Sequence, residues 1–240
     1  MEKLKDKTIL VTGVSKGLGV DITKKILDIG YSVIGLSRSY DGIFDQYNNF
    51  TYFKFDLLNS SDLELFLKKN IGNKIKIDGF INNAAIAYDD IITNMNLNKL
   101  EEMYNVNVFS PLVITKFCLR NMLFHKTKGS IVHLSSISVH TGYNGLSMYA
   151  STKGALEAFS KNTSREWGRK GIRSNCIVAG FMETDMSNTL SNDQKDRIYK
   201  RTSLKQPTDT ISVASTIEFL LSEKSNSITG QNINVDSGTI

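Results

Sequence analysis

A chain of 240 residues with 40% hydrophobic and 22% charged side chains has ordinary globular composition, which excludes disordered and fibrous classes. Its 29 lysines and arginines against 24 acids leave a formal charge of +5, interleaved along the chain, which reads as a solvated basic surface and not a nucleic-acid site. No apolar run reaches the roughly 20 residues of a membrane-spanning helix, and the first is too short for a secretory signal.

Residues 8–13 (TILVTG) read as a short buried strand. Residues 17–29 carry Leu18, Ile22, Ile26 and Ile29 on one helical face. Strands follow at 31–37 and 50–56, and Asn59, Ser60 and Ser61 offer caps for a helix through Leu67. A fourth strand is expected at 77–85, a long helix at 97–124 and a fifth strand at 129–136. The last elements are a helix at 147–169, a sixth strand at 171–180 and a seventh at 230–236. Apolar strands alternating with helices predict a parallel sheet covered on both faces, with ligands beyond the carboxyl ends of the strands. No repeat or linker divides the chain, so a single α/β domain over residues 1–240 is expected. Cys118 and Cys176 have no metal-type spacing and are expected as buried free thiols in a reducing cytoplasm, with no metal site.

Between the first strand and the first helix lies LVTGVSKGLG, residues 10–19. Gly13 permits a tight turn, Gly17 a close backbone approach to a ligand, and Gly19 close packing of helix on sheet. The helix start offers N–H groups and partial positive charge to a phosphate. An empty tight turn also needs glycine; the placement in a parallel sheet is what makes the loop a dinucleotide signal.

The spacing T-G-x-x-x-G-x-G resembles the short-chain dehydrogenase/reductase family. Further segments carry the likeness along nearly the whole chain: NNAA at 82–85, YNVNV around Asn107, SSISVHTGYNGLSMYASTKGAL with Ser136, Tyr149 and Lys153, and ITGQNINVDSG near the end. The 3-oxoacyl-[acyl-carrier-protein] reductases are the most similar members. The resemblance implies a Rossmann-type, doubly wound, seven-stranded parallel sheet and NADP(H)-dependent reduction of a ketone to a secondary alcohol. It places Gly13, Ser15, Lys16, Gly17, Leu18, Gly19, Ser37, Arg38, Asp56, Leu57, Asn83, Ala84, Ala85, Tyr149, Lys153, Gly180, Met182 and Thr184 at the cofactor.

The catalytic roles come from the same resemblance. Tyr149 would donate a proton to the carbonyl oxygen, Ser136 would hydrogen-bond that oxygen, and Asn107 would hold a water that relays protons to Lys153. Ser135 is the rival serine, set aside by the family's separation from the tyrosine. Chemistry supports the Tyr149–Lys153 pairing: four residues apart on a helix they share a face. An ammonium about 4 Å from a phenol is worth about 4 kcal/mol, or about three pKa units, enough to bring a tyrosine of pKa about 10 towards neutrality. His133 and His140 read as structural or surface residues.

At the end of the second strand an acid would bind a ribose 2′-hydroxyl and repel a 2′-phosphate. Ser37, Arg38 and the loop's Lys16 stand there instead, which favours NADP(H) over NAD(H). Three small-for-small departures from the family pattern affect fine positioning only: Ala85, Ala179 before Gly180, and Ser237. Residues 181–206 are expected as a substrate lid, with Met182, Met186 and Leu190 either lining an acyl channel or simply packing. Lys126, Lys128, Arg169 and Lys170 approximate a docking place for an acidic acyl carrier protein. Tyr104, Val108, Phe109 and Phe159 are candidate contacts of the family's homotetramer. A reductase or dehydrogenase of a sugar, polyol or secondary metabolite is the alternative enzyme, and a cofactor-sensing binding protein without catalysis the alternative class.

Overall fold

The computed structural model of the chain describes residues 7–184 and 191–240. Met186 and Leu190, expected along an acyl channel, lie outside the described residues. Seven strands form one sheet in the order β3-β2-β1-β4-β5-β6-β7. They are β1 (Thr8–Thr12), β2 (Ser32–Ser37), β3 (Phe50–Lys54), β4 (Gly79–Asn82), β5 (Ser130–Ser136), β6 (Arg173–Ala179) and β7 (Asn232–Val235). Every neighbouring pair is parallel, from Thr8 opposite Ser32 to Ala179 opposite Val235. β4 and β6 are buried along their whole length, the pattern of a sheet covered on both faces.

The helices are α1 (Leu18–Asp28), α2 (Ser60–Asn70), α3 (Leu97–Tyr104), α4 (Ser110–Phe124), α5 (Ser138–Thr141), α6 (Ser147–Trp167), α7 (Asn192–Arg201) and α8 (Thr210–Leu221). One apolar layer joins α1 and α8 to the sheet through Ile22, Ile26, Val213 and Ile217. The other joins α2 and α4 through Leu63, Leu67, Ile114 and Cys118. Cys118 and Cys176 are both buried and free. β1 sits between β2 and β4, so the chain leaves it in opposite directions and opens a crevice at their carboxyl ends.

Besides the short α5, two elements differ from expectation. The helix predicted over 97–124 is interrupted by a π-helical stretch, Asn105–Phe109, where the Ser110 N–H donates to the Asn105 carbonyl five residues back. α8 went unpredicted because TISVASTIEFLL is rich in β-branched and hydroxyl side chains, poor helix formers. Tertiary partners support it instead. Asp209 caps its start by accepting from the Ile211 and Ser212 N–H groups. At its end the buried Arg173 donates to the Leu220 carbonyl at 2.6 Å, and Lys7 donates to the Leu221 carbonyl at 2.9 Å. Among the described residues no helix is long and apolar enough to cross a membrane.

Candidate active site

The glycine loop leaves β1 at the crevice. Gly13 has φ +74°, and a Cβ there would stand 2.9 Å from Asn83 Nδ2 and 3.0 Å from Ala84 Cα. Gly17, φ +50°, begins α1 with no side chain capping the helix. At Gly19 a Cβ would fall 1.8 Å from the Gly13 carbonyl oxygen, so the turn and the helix touch backbone to backbone. Leu18 is buried beneath, whereas Lys16 is exposed and Ser15 half-buried above.

Thr12 fastens this turn to β4, and sequence reasoning had passed over it. Its Oγ1 accepts from the Asn83 and Ala84 N–H groups, both at 3.1 Å. Asn83 answers by donating from Nδ2 to the Thr12 and Gly13 carbonyls, both at 3.1 Å. Asn83, expected at the cofactor, therefore spends its side-chain N–H groups on shaping the loop. Ala85 follows half-buried on the same turn.

Around the rim, Ser37 Oγ donates to the Ser39 carbonyl at 2.8 Å, and Tyr52 OH donates to the Ser37 carbonyl at 3.0 Å. Together they fix the turn that presents the exposed Arg38. Asp56 Oδ1 accepts from the Leu58 N–H at 3.1 Å, and the carbonyl of buried Leu57 accepts from Ser110 Oγ at 2.6 Å. Gly180 is needed by crowding, since a Cβ there would lie 2.1 Å from Thr208 Oγ1. Met182 packs against the α1-side core, and Thr184 comes within 3.4 Å of where a Gly17 Cβ would be. A cradle that side chains would fill, an uncapped helix start and two exposed bases at the rim fit a phosphorylated dinucleotide.

The second group gathers where β5 ends. Ser136 is half-buried and its Oγ accepts from the Ser138 N–H at 3.2 Å. Ser135 is buried and donates to the Glu157 carboxylate, which leaves Ser136 as the serine with an accessible hydroxyl. Lys153 is buried on α6; its Nζ donates to the Leu134 carbonyl at 2.8 Å and lies 5.6 Å from the centre of the Tyr149 ring.

Here the electrostatic expectation is corrected. Burial, then the Asp89 carboxylate, holds the Tyr149 phenol above its ordinary range, and burial brings Lys153 down to about 8. Desolvation outweighs the attraction because the ammonium points at a carbonyl and the ring, so the phenol stays protonated at neutral pH.

Asn107 sits in the π stretch. Its Oδ1 accepts from the Ile86 N–H at 2.9 Å, and its Nδ2 donates to the Ile86 carbonyl at 2.8 Å and to Thr152 Oγ1 at 3.1 Å. Thr152 Oγ1 donates in turn to the Tyr149 carbonyl at 2.7 Å. The side chain is thus a brace between the segment that follows β4 and α6. Pro111, four residues on, has no N–H to give the Asn107 carbonyl.

His133 is enclosed, edge-on to Phe80 and Phe159, and pushed down to about 3 by burial and then by Lys153. A base so disposed is neutral and out of a substrate's reach. His140, half-exposed, pairs with Glu157 at 3.1 Å. Among the described residues no cluster of His, Cys, Asp and Glu could hold a metal ion.

Two expectations about surfaces shift. Lys126 and Lys128 precede β5, and Arg169 and Lys170 precede β6, so all four bases stand at the amino edge of the parallel sheet. Ser136 closes the seven-residue β5 at the other edge, about 20 Å away at about 3.3 Å per residue. Lys128 does lie beside the turn after Lys170, its Cγ 2.8 Å from where a Gly171 Cβ would be, but the four are not at this chain's own active-site mouth. Of the candidate subunit contacts, Val108 is buried within the chain and Phe159 packs on His133. Phe109 remains 51% exposed beside Tyr104.

A glycine cradle and a Ser–Tyr–Lys group at the carboxyl ends of one parallel sheet define a nucleotide-dependent oxidoreductase of the short-chain class. The family model described as enoyl-(acyl carrier protein) reductase matches residues 13–239, and the chain belongs to that family of short-chain dehydrogenases/reductases. Among curated relatives, the 3-oxoacyl-[acyl-carrier-protein] reductase FabG of Buchnera aphidicola subsp. Schizaphis graminum is 32% identical over 240 residues, 98% of each chain. The reductase of that name from Vibrio cholerae is 29% identical over 98% of each chain. Of solved structures, ElxO with NADP bound superposes with a TM-score of 0.89 at 26% identity, covering 98% of each chain.

Proposed function

We propose that this chain is an NADPH-dependent reductase that turns a 3-oxoacyl thioester, carried by an acyl carrier protein or coenzyme A, into the 3-hydroxyacyl thioester, the reduction step of fatty-acid synthesis. The observation that carries the reading is Lys153, which bonds the Leu134 carbonyl two residues before Ser136 and lies 5.6 Å from the Tyr149 ring centre, at the same sheet edge as the Gly13–Gly19 loop. FabG-named relatives and the NADP-bound neighbour support it. The loop residues Gly13, Ser15, Lys16, Gly17, Leu18 and Gly19 would hold the pyrophosphate, Ser37 and Arg38 the adenosine ribose phosphate, and Asp56 and Leu57 the adenine. Asn83, Ala84, Ala85, Gly180, Met182 and Thr184 would surround the nicotinamide half. When bound, the cofactor supplies a hydride to the carbonyl carbon.

The chain's own residues handle the proton and the developing charge. Tyr149 keeps its hydrogen at neutral pH because its phenol is held above the usual range, and it gives that hydrogen to the carbonyl oxygen. Ser136 Oγ–H hydrogen-bonds the same oxygen and stabilises its charge. Lys153 as an ammonium stabilises the phenolate left behind, and the water on the Asn107 carbonyl restores its proton. Lys153 has its ordinary value lowered to about 8, so it is charged below that pH and neutral above it. The reduction rate is therefore expected to fall as pH rises through about 8. A kcat–pH profile checks this, and a flat profile to pH 10 would contradict the role.

The base pair at the rim accounts for cofactor choice. Replacing Arg38 with aspartate sets a negative charge against the 2′-phosphate, and NADPH affinity should fall by about a hundredfold while NADH affinity changes by less than about threefold. Fluorescence titration of both nucleotides measures it; an unchanged preference defeats the assignment. For the substrate, NADPH oxidation assayed with an acetoacetyl thioester against sugars, polyols and simple ketones decides, and a tenfold higher kcat/KM on a sugar would move the reading there.

The finer features follow the same reading. Residues 181–206 serve as the substrate lid. The enzyme assembles as a homotetramer through the two long helical segments, 97–124 and α6, the first of which offers Tyr104 and Phe109 where α3 gives way to α4, and works in the cytoplasm. An acidic acyl carrier protein is the partner that Lys126, Lys128, Arg169 and Lys170 suit; they would meet an active-site mouth belonging to a neighbouring copy.

A further inference from the structure

We propose that Glu157 is a positioning residue that sets the spacing between Ser136 and the Tyr149–Lys153 pair, an inference that rests on the reductase reading of that group. Glu157 follows Lys153 by one turn and Tyr149 by two on α6, so the three share a face. Glu157 is 8% exposed, and its carboxylate meets three donors from three other elements. Oε1 accepts from Ser135 Oγ on β5 and from His140 Nε2 on α5, the latter at 3.1 Å. Oε2 accepts from Asn232 Nδ2 on β7 at 2.7 Å.

Such a carboxylate is costly to bury without donors, and its bonds are stronger than neutral ones. An apolar residue of equal size would fill the space without fixing a direction. The directions are what bear on chemistry. α6 is fastened to consecutive residues of β5, at the Leu134 carbonyl by Lys153 and at Ser135 by Glu157, and the next residue is Ser136. α5, the turn that follows Ser136, is held by the same carboxylate through His140. A slip of α6 by one residue is a shift of about 1.5 Å, and an error of about 1 Å in a reacting geometry costs on the order of a hundredfold in rate. Ser135, weighed as a rival for catalysis, thus becomes the handle by which the catalytic serine is held.

Glu157→Gln keeps the shape but leaves one acceptor oxygen for three donors, with an amide N–H group facing another donor. The variant should fold cooperatively, bind NADPH within about twofold of the parent, and lose about tenfold in kcat with KM changed by less than about threefold. Ser135→Ala should lose a smaller factor, and the double variant should be no slower than Glu157→Gln, because both cut one linkage. A second readout needs no turnover: amide hydrogen exchange at Ile137 and Ser138, whose N–H groups bond the Ala179 carbonyl at 3.0 Å and Ser136 Oγ at 3.2 Å, should quicken about tenfold in the variant. Unaltered kcat with unaltered exchange overturns the proposal, as does a loss that only follows lost folded protein or lost NADPH affinity. If the parent reduces no carbonyl at all, the reductase reading fails, and the exchange rates alone decide whether the clamp exists.

Discussion

Replacing Tyr149 with phenylalanine is expected to lower kcat by about a hundredfold to ten-thousandfold, the range of a positioned acid, while NADPH affinity stays within about twofold. The aromatic ring keeps its place against the Lys153 ammonium, 5.6 Å from its centre, so packing is preserved and only the transferable hydrogen is removed. Lys153 keeps its bond to the Leu134 carbonyl, and no glycine of the cradle is touched. Single-turnover hydride transfer and nucleotide titration on the same preparation separate the two effects. A variant retaining a tenth of the activity would show that another group delivers the proton, and the assignment of Tyr149 would fall. Weakened nucleotide binding alone would instead reduce the tyrosine to a structural part of the cradle.

Gly19→Ala should be nearly as damaging, by another route. In an ordinary helix this exchange is favourable by up to about 1 kcal/mol. Here the new Cβ would fall 1.8 Å from the Gly13 carbonyl oxygen and 2.8 Å from Asn83 Nδ2. The neighbours are backbone and a braced amide, so α1 must back away from the sheet or the turn must unfold. The expected cost is about 3 kcal/mol or more, with loss of measurable NADPH binding in whatever folds. Gly154→Ala on α6 is the control: its Cβ would meet Val139 Cγ1 at 3.6 Å, an ordinary contact, and should stabilise slightly. Denaturant unfolding of both variants measures the contrast, and equal effects would refute the argument from close approach.

The sheet was legible in the sequence because its strands are apolar on both faces, and a run such as FIN or NCIVA has no other economical place. The glycine loop was legible because glycine marks where a side chain cannot fit, and the distances at Gly13 and Gly19 bear that out. α8 was not, since its helicity comes from Asp209, Arg173 and Lys7, two of them distant in the chain. The π stretch was hidden for a similar reason: an ordinary helical period runs through Met103, Val106 and Ile114, and only the backbone bond from the Ser110 N–H to Asn105 reveals the extra residue. Glu157 read as one more charge on a helix, because its three partners lie 17 to 75 residues away. The charge of Lys153 suggested an acidified phenol, yet how far burial opposes that charge depends on where its Nζ points, which spacing does not encode.

The wide turn at Asn105–Phe109 has a consequence for how this chain can vary. It behaves as a dislocation: one surplus residue wound into an otherwise regular coil, with the Ser110 N–H reaching back to Asn105. Deleting one residue there would let the coil heal with both flanks still in phase, because the wide turn takes up its extra residue locally. Met103 and Ile114 would keep their apolar seats, and what would go is the local widening that presents Asn107 to Ile86; the extra residue serves that one side chain.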